Sequence, residues 1–214
     1  MDFWTRLDAV RSEWNVLEHS FYRRWSAGEL SREELAAYAG QYRHAVVALA
    51  QASASAAGRA DEPVRRHLAE HAAEEASHVE LWDRFVDAAG GDVGAPASPE
   101  TKACANAWRG SGERSLEATL LGLYAIEAAQ PAIAEAKRAG LVKLYGFEPG
   151  PATEYFDLHA TLDMEHARAH RAWIEPALAE ADHDELLEAA RAVLSGNWTL
   201  LDGVERASLA SAGS

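Results

Sequence analysis

Cysteine is almost missing from this sequence. Cys104 is the one thiol in 214 residues, so an intramolecular disulfide is impossible and a thiolate-rich metal site is excluded by count. Basic charge is scarce too. Twenty Lys and Arg face 34 Asp and Glu, a formal net charge of −14, so phosphate backbones and anionic membrane surfaces are repelled on average. Neither nucleic acid nor a membrane is expected as a partner. Long apolar runs are lacking: Ala118 to Ile126 is bounded by Glu117 and Glu127 and falls far short of the roughly 20 residues a spanning helix needs. The opening MDFWTRLDAV has neither the basic start nor the apolar stretch of a signal peptide, which predicts a cytoplasmic location. Alternating Val-, Ile- and Thr-rich segments, the mark of strands, are absent, and no period of about 20 to 50 residues repeats.

What is present is the balance of an ordinary globular protein, 48% apolar and 25% charged, with Ala, Leu, Glu and Arg dominant. Apolar residues recur at three- and four-residue spacing almost throughout, so the fold class is all-α: a compact single-domain helical bundle over residues 1–207, with a small, polar, frayed tail at 208–214. The pattern predicts helices near 2–17, 19–26, 31–57, 61–89, 98–109, 112–140, 151–181 with a break at Pro176, 183–195 and 198–209. Ser31 followed by Glu34 reads as a capping box, Asp61 precedes another helix, and Pro151 suits a first turn. Glycines punctuate the rest, and 90–99 is the one long Gly/Pro/Ala connection.

Three segments carry chemistry. In EYFDLHATLDMEHARAH, a step of about 100° per residue places His159, Asp163 and His166 within roughly a 60° arc, flanked by Leu158, Leu162 and Ala169. An inward arc of this kind needs partners for its imidazoles and carboxylate, either one another or a metal. In RRHLAEHAAEEASHVELWDRF, His71, Glu75 and His78 fall at i, i+4 and i+7, with Glu74 beside the stripe and His67 a turn earlier. Glu75-x-x-His78 has the carboxylate and imidazole spacing with which one helix offers two ligands to a di-metal site; a solvated helix face is the plain alternative. In the third segment nine uncharged residues precede Glu127 and seven follow it, so a core-facing carboxylate is expected, held ionised by a divalent cation or by a lysine or arginine at a helix crossing. Together these residues are enough for two metals with about three ligands each, and imidazole mixed with carboxylate suits iron or manganese.

Glu127 in LYAIEAAQP, followed 32 residues later by HATLDMEH, resembles the haem-oxygenase-like di-metal oxidases. The segment HSFYRRWSAGELSREELAAYAGQYRHAV is similar to the opening of the TenA/PqqC-like relatives, and the CADD-type para-aminobenzoate synthases are the nearest pattern. The resemblance implies that His78, Glu127, His159, Asp163 and His166 hold two metals, with Glu127 bridging. It departs at the first ligand, where many members have Glu seven residues before the histidine and this chain has His71; Glu75, Glu74 or His71 itself could fill the place. It further implies an oxidase using two Fe ions, or an Fe/Mn pair, with dioxygen as co-substrate and an external reductant, acting on a small molecule or on its own side chains. Lys137, ten residues after Glu127, and Tyr22 or Tyr42 are the catalytic candidates, with Tyr38, Tyr124 and Tyr155 as further tyrosines.

Two other readings use the same fold. A TenA-like thiamin-salvage hydrolase would need a cysteine nucleophile, and Cys104 in TKACANAW does not match that motif. A metal-free protein or a haem binder with His19 as axial ligand would leave Glu127, Asp163 and His166 without an account. Relatives of the fold pair as homodimers, and Trp4, Trp14 and Trp198 are candidates for such an interface.

Overall fold

The computed structural model describes residues 1–110, 114–160 and 163–212. All regular structure among them is helical. In chain order the helices are α1 (Phe3–Glu13), α2 (Ser20–Ala27), α3 (Arg32–Arg59), α4 (Val64–Ala89), α5 (Pro99–Gly110), α6 (Leu116–Glu127), α7 (Gln130–Lys143), α8 (Glu154–His159), α9 (Asp163–Ala177) and α10 (His183–Ala212), with a single 3-10 turn at Val16–Glu18. The expected helix start at Gly112, the flanking Leu162, and the end of the tail at 213 and 214 lie outside the described residues.

Local chemistry explains the boundaries. Ser31 and Glu34 close the capping box that opens α3. Asn15 caps the 3-10 turn, so the stretch expected as one helix over 2–17 ends at Glu13. The helix expected from Asp61 starts at Val64. The stretch expected to be continuous over 112–140 divides at Ala128 and Ala129, because Pro131 has no N–H to donate to the Glu127 carbonyl one turn back. Glu127 thereby becomes the last residue of α6. The segment expected over 151–181 begins instead at Glu154 and divides after His159; Pro176 then sits in the closing turn of α9, as its missing N–H requires. The last two expected helices are one, and α10 continues to Ala212 through the segment expected to be frayed. Gly196 does not stop it: a Cβ there would lie 3.3 Å from the Cα of Cys104, so this glycine is where α5 crosses α10 closely.

Helix α3 packs along α4 and α5, α10 along α5 and α6, and α6 along α9. Their apolar faces meet in one core whose largest fully buried side chains include Trp25, Trp82, Trp108, Tyr22, Tyr38 and Tyr42. Trp4, Trp14 and Trp198 are half-buried against that core. Among the described residues no helix is long and apolar enough to cross a membrane.

One packing detail fixes α7. The Trp25 indole N–H donates to the Lys137 carbonyl at 3.2 Å, and a Cβ on Gly140 would sit 2.5 Å from that same nitrogen. Trp25 is fully buried and cannot swing away. Gly140→Ala is therefore expected to cost about 1–3 kcal/mol of unfolding free energy, as overpacking does, measured by urea denaturation.

Candidate metal centre

Helix α4 supplies three side chains one turn apart, His71, Glu75 and His78, all at most 2% exposed. The i, i+4, i+7 spacing puts them on one face, and the core burial of Leu68, Trp82 and Phe85 on the same helix turns that face inward. Opposite stand Glu127 at the end of α6, His159 at the end of α8, and Asp163, His166 and His170 on α9, all buried.

Their ligand atoms gather in two groups. His71, Glu75, Glu127 and His166 each offer an atom within 4.8 Å of the others, and so do Glu75, His78 and His159. Glu75 belongs to both. Its Oε1 lies 3.6 Å from His71 Nε2 and 3.3 Å from His78 Nδ1, while Glu127 places one oxygen 3.0 Å from His71 Nε2 and the other 2.9 Å from His170 Nδ1. These contacts are short yet none is aligned as a hydrogen bond: both oxygens of Glu75, Glu127 and Asp163 and the inward ring nitrogens of His71, His78, His159, His166 and His170 have no hydrogen-bond partner. Buried polar atoms so seldom go unpaired that a set converging on common points fits divalent cations as the missing partner.

Outer contacts preset the ligand orientation. His159 Nδ1 donates to the Tyr155 carbonyl at 2.7 Å, leaving Nε2 for the interior, and the Tyr155 ring stacks on the imidazole at 3.9 Å. His166 Nε2 meets the half-exposed Glu74 carboxylate at 2.9 Å, leaving Nδ1 for the interior. Partners of this kind fix tautomer and ring angle around metals.

The electrostatics describe a centre short of positive charge. Burial pushes the Asp163 carboxyl up to about 9, with Glu127 and Glu75 adding to the rise, so it is neutral at pH 7. Burial also lowers His159 to about 4. For His71 burial works the same way, but Glu127 and Glu75 outweigh it and raise the imidazole to about 10. A divalent cation reverses this pattern by favouring carboxylate over carboxyl and neutral over protonated imidazole.

The residues expected from the sequence thus stand together, with Asp163 beside the two groups but in neither. Of the three candidates for the first ligand, His71 and Glu75 are both buried within the groups, whereas Glu74 is half-exposed and meets His166 Nε2 from the rim. His170 was missed, although it lies four residues after His166 and continues the stripe.

Lys137 is also fully enclosed. Its Nζ lies 4.4 Å from the Tyr42 ring centroid, 5.4 Å from those of Tyr38 and Trp82, 5.5 Å from Phe156 and 5.6 Å from Tyr22. Burial alone lowers its amine to about 7. The Tyr22 and Tyr38 hydroxyls are 2.9 Å apart, and burial pushes both phenols well up, so they stay protonated. Tyr124 stands apart from this chamber, against Trp4 and Arg11.

The alternative sites fare differently. Cys104 is wholly buried and burial raises its thiol, the opposite of an activated nucleophile. Both ring nitrogens of His19 are taken, Nδ1 by the Phe21 N–H and Nε2 by Asp202, so neither is left for a haem iron.

The fold is haem-oxygenase-like. A Shewanella denitrificans domain described as having a heme oxygenase-like fold superposes with a TM-score of 0.78 at 17% identity, covering 100% of this chain and 97% of that one. A TenA homologue from Pseudomonas syringae superposes with a TM-score of 0.82 at 18% identity over 95% of this chain and 91% of its own. Residues 36–198 match the family of iron-containing redox enzymes. The chain is also 33% identical over 212 residues to a 4-aminobenzoate synthase of Chlamydia muridarum, spanning 94% of this chain and 89% of that protein. It belongs to this family of iron-containing redox enzymes.

Proposed function

We propose that the protein is a non-haem di-metal oxidoreductase that uses dioxygen to form 4-aminobenzoate, acting on its own side chains or on a small molecule. The observation that carries this reading is the sharing of Glu75 between two groups of unpaired imidazoles and carboxylates, which fits a pair of metals better than one. His71, Glu75, Glu127 and His166 would hold one ion, and Glu75, His78 and His159 the other, with Asp163 available to either. Bound iron, alone or with manganese, would supply electrons and Lewis acidity toward dioxygen, replenished by an external reductant.

The chain supplies the rest. The enclosing aromatic rings exclude water, and a fraction of Lys137 is unprotonated near pH 7 with its lone pair free. Tyr42 presents the nearest ring to that amine, and Tyr22 and Tyr38 hold each other's hydroxyls in place. An aromatic acid bearing one nitrogen needs a ring and an amine, and this chamber holds both.

The test is to load the protein anaerobically with ferrous ion, alone and with manganese, and count metals per chain. Oxygen uptake and 4-aminobenzoate are then measured, together with the mass of the protein. Close to two metals, oxygen uptake and product are expected, with a mass change at Lys137 or a tyrosine if the source is internal. Absence of both bound metal and oxygen uptake refutes the reading.

A further inference from the structure

A line of rings joins the metal centre to the Lys137 chamber. Among the described residues, His159 is the one metal-facing histidine whose ring meets an aromatic ring other than a fellow histidine's. That ring is Tyr155, stacked on the imidazole at 3.9 Å with the planes 20° apart. Tyr155 meets Trp82 at 4.7 Å between centroids, Trp82 meets Tyr42 at 4.9 Å, and Tyr42 meets Tyr38 at 5.3 Å. These are the separations of rings in contact. All five side chains are at most 2% exposed, so nothing dissolved in water reaches the line.

The chemistry along the line has a direction. Two rings border both Tyr155 and the chamber, Trp82 and Phe156, and of these only the indole gives up an electron readily. Trp82 donates its N–H to the Ala39 carbonyl at 2.9 Å. A carbonyl is too weak a base to take that proton, so an indole oxidised here keeps it and returns to tryptophan with the next electron it receives. A phenol behaves differently, because losing one electron makes its hydroxyl a strong acid. Lys137 supplies the base: its flexible stem holds Nζ 4.4 Å from the Tyr42 ring centroid, and a fraction of the amine is unprotonated near pH 7. Oxidation therefore passes through Trp82 and comes to rest in the chamber.

We propose that Trp82 relays single electrons from the Tyr42 phenol to the metal centre, with the stacked Tyr155 and His159 rings as the bridge between them. In each step Tyr42 loses one electron and its O–H bond breaks, while the proton forms a new N–H bond on the Lys137 amine. Trp82 passes the electron on and ends unchanged, and an oxidant formed from dioxygen at the centre is reduced by one electron. For that oxidant the inference rests on the proposed oxidase reading; the route is read from the rings themselves.

The test loads the full-length protein anaerobically with ferrous ion, mixes it with oxygen and freezes samples at successive times for electron paramagnetic resonance. Metal per chain, oxygen uptake and 4-aminobenzoate are measured alongside. The wild type should show an organic radical whose signal narrows when its tyrosines are ring-deuterated. Trp82→Phe should keep its metals, because Trp82 is no ligand, and lose both that signal and 4-aminobenzoate. Trp108→Phe controls for packing: this indole is as deeply buried, donates to the Val193 carbonyl at 2.9 Å and lies 6.2 Å from Tyr42, but stands off the line, so the variant should keep both. Fluorinated tryptophan keeps the indole and its hydrogen bond but is harder to oxidise, so it should slow the tyrosine signal at unchanged metal content, an arm that does not depend on Trp82→Phe folding. The relay is overturned, with the oxidase reading left standing, by any of four results: an undiminished tyrosine signal in Trp82→Phe, an equal loss in Trp108→Phe, no slowing by fluorinated tryptophan, or a wild type that makes 4-aminobenzoate with no tyrosine signal. Wild-type protein that takes up neither metal nor oxygen refutes the oxidase reading, and the relay with it.

Discussion

Glu75→Ala is expected to strip metal from both halves of the centre at once. Among the described residues its carboxylate is the one that both groups of ligand atoms include, so its loss removes an anion from each. Outer-sphere substitutions around metals already cost about 10–100-fold in affinity, and a shared inner ligand should exceed the upper figure. Metal per chain after dialysis should fall close to zero, while far-UV circular dichroism stays near wild type. Glu74→Ala gives the contrast: it removes only the outer partner of His166 Nε2, so the metals should be retained with about tenfold weaker binding. Iron retained in Glu75→Ala and lost in Glu74→Ala would reverse the assignment of the first carboxylate.

Lys137→Met should make the metal-free protein more stable. A lysine brought from 10.5 to about 7 by burial carries a penalty of up to roughly 5 kcal/mol, at 1.36 kcal/mol per pH step. The aromatic faces around Nζ return part of this as cation–π attraction, so a gain of about 2–4 kcal/mol is expected at pH 7. The sign follows from linkage. Between pH 7 and 10.5 the unfolded chain binds a proton that the folded chain does not, so the wild type gains stability with rising pH and the penalty vanishes above 10.5. The advantage of Lys137→Met should therefore be full below pH 7 and shrink toward pH 10, as read by urea denaturation across that range. An advantage independent of pH would mean that Lys137 is not buried as a strained cation. The same variant should make no 4-aminobenzoate if the amine takes part in the reaction.

The sequence carried the helical class and most of the centre because both depend on spacing along single helices. His71, Glu75 and His78 share a face of α4 by arithmetic alone, and an isolated Glu127 in an apolar run points inward for want of any other place. What spacing could not supply was relation between helices. Glu74 and Glu75 are adjacent, and only the packing of α4 against its neighbours decides that one is central and the other at the rim. The division after His159 was illegible because no proline or glycine marks it, whereas the one before Gln130 was marked by Pro131 and missed. The helices expected at 183–195 and 198–209 are continuous, and Gly196 between them serves the close crossing of α5 over α10.

The two-residue link between α6 and α7 has a consequence for how such chains can diverge. Glu127 closes one helix and Lys137 lies ten residues on, inside the next, with only Ala128 and Ala129 between the helices. An insertion or deletion of one residue in that link would turn α7 by about 100° relative to the carboxylate. Ala136 or Arg138 would then occupy the inward position now held by the amine. Length variation should therefore be tolerated in the 90–98 connection and forbidden from 127 to 137, so a gap there in any related sequence would mark a chain that has lost the pairing of carboxylate and amine.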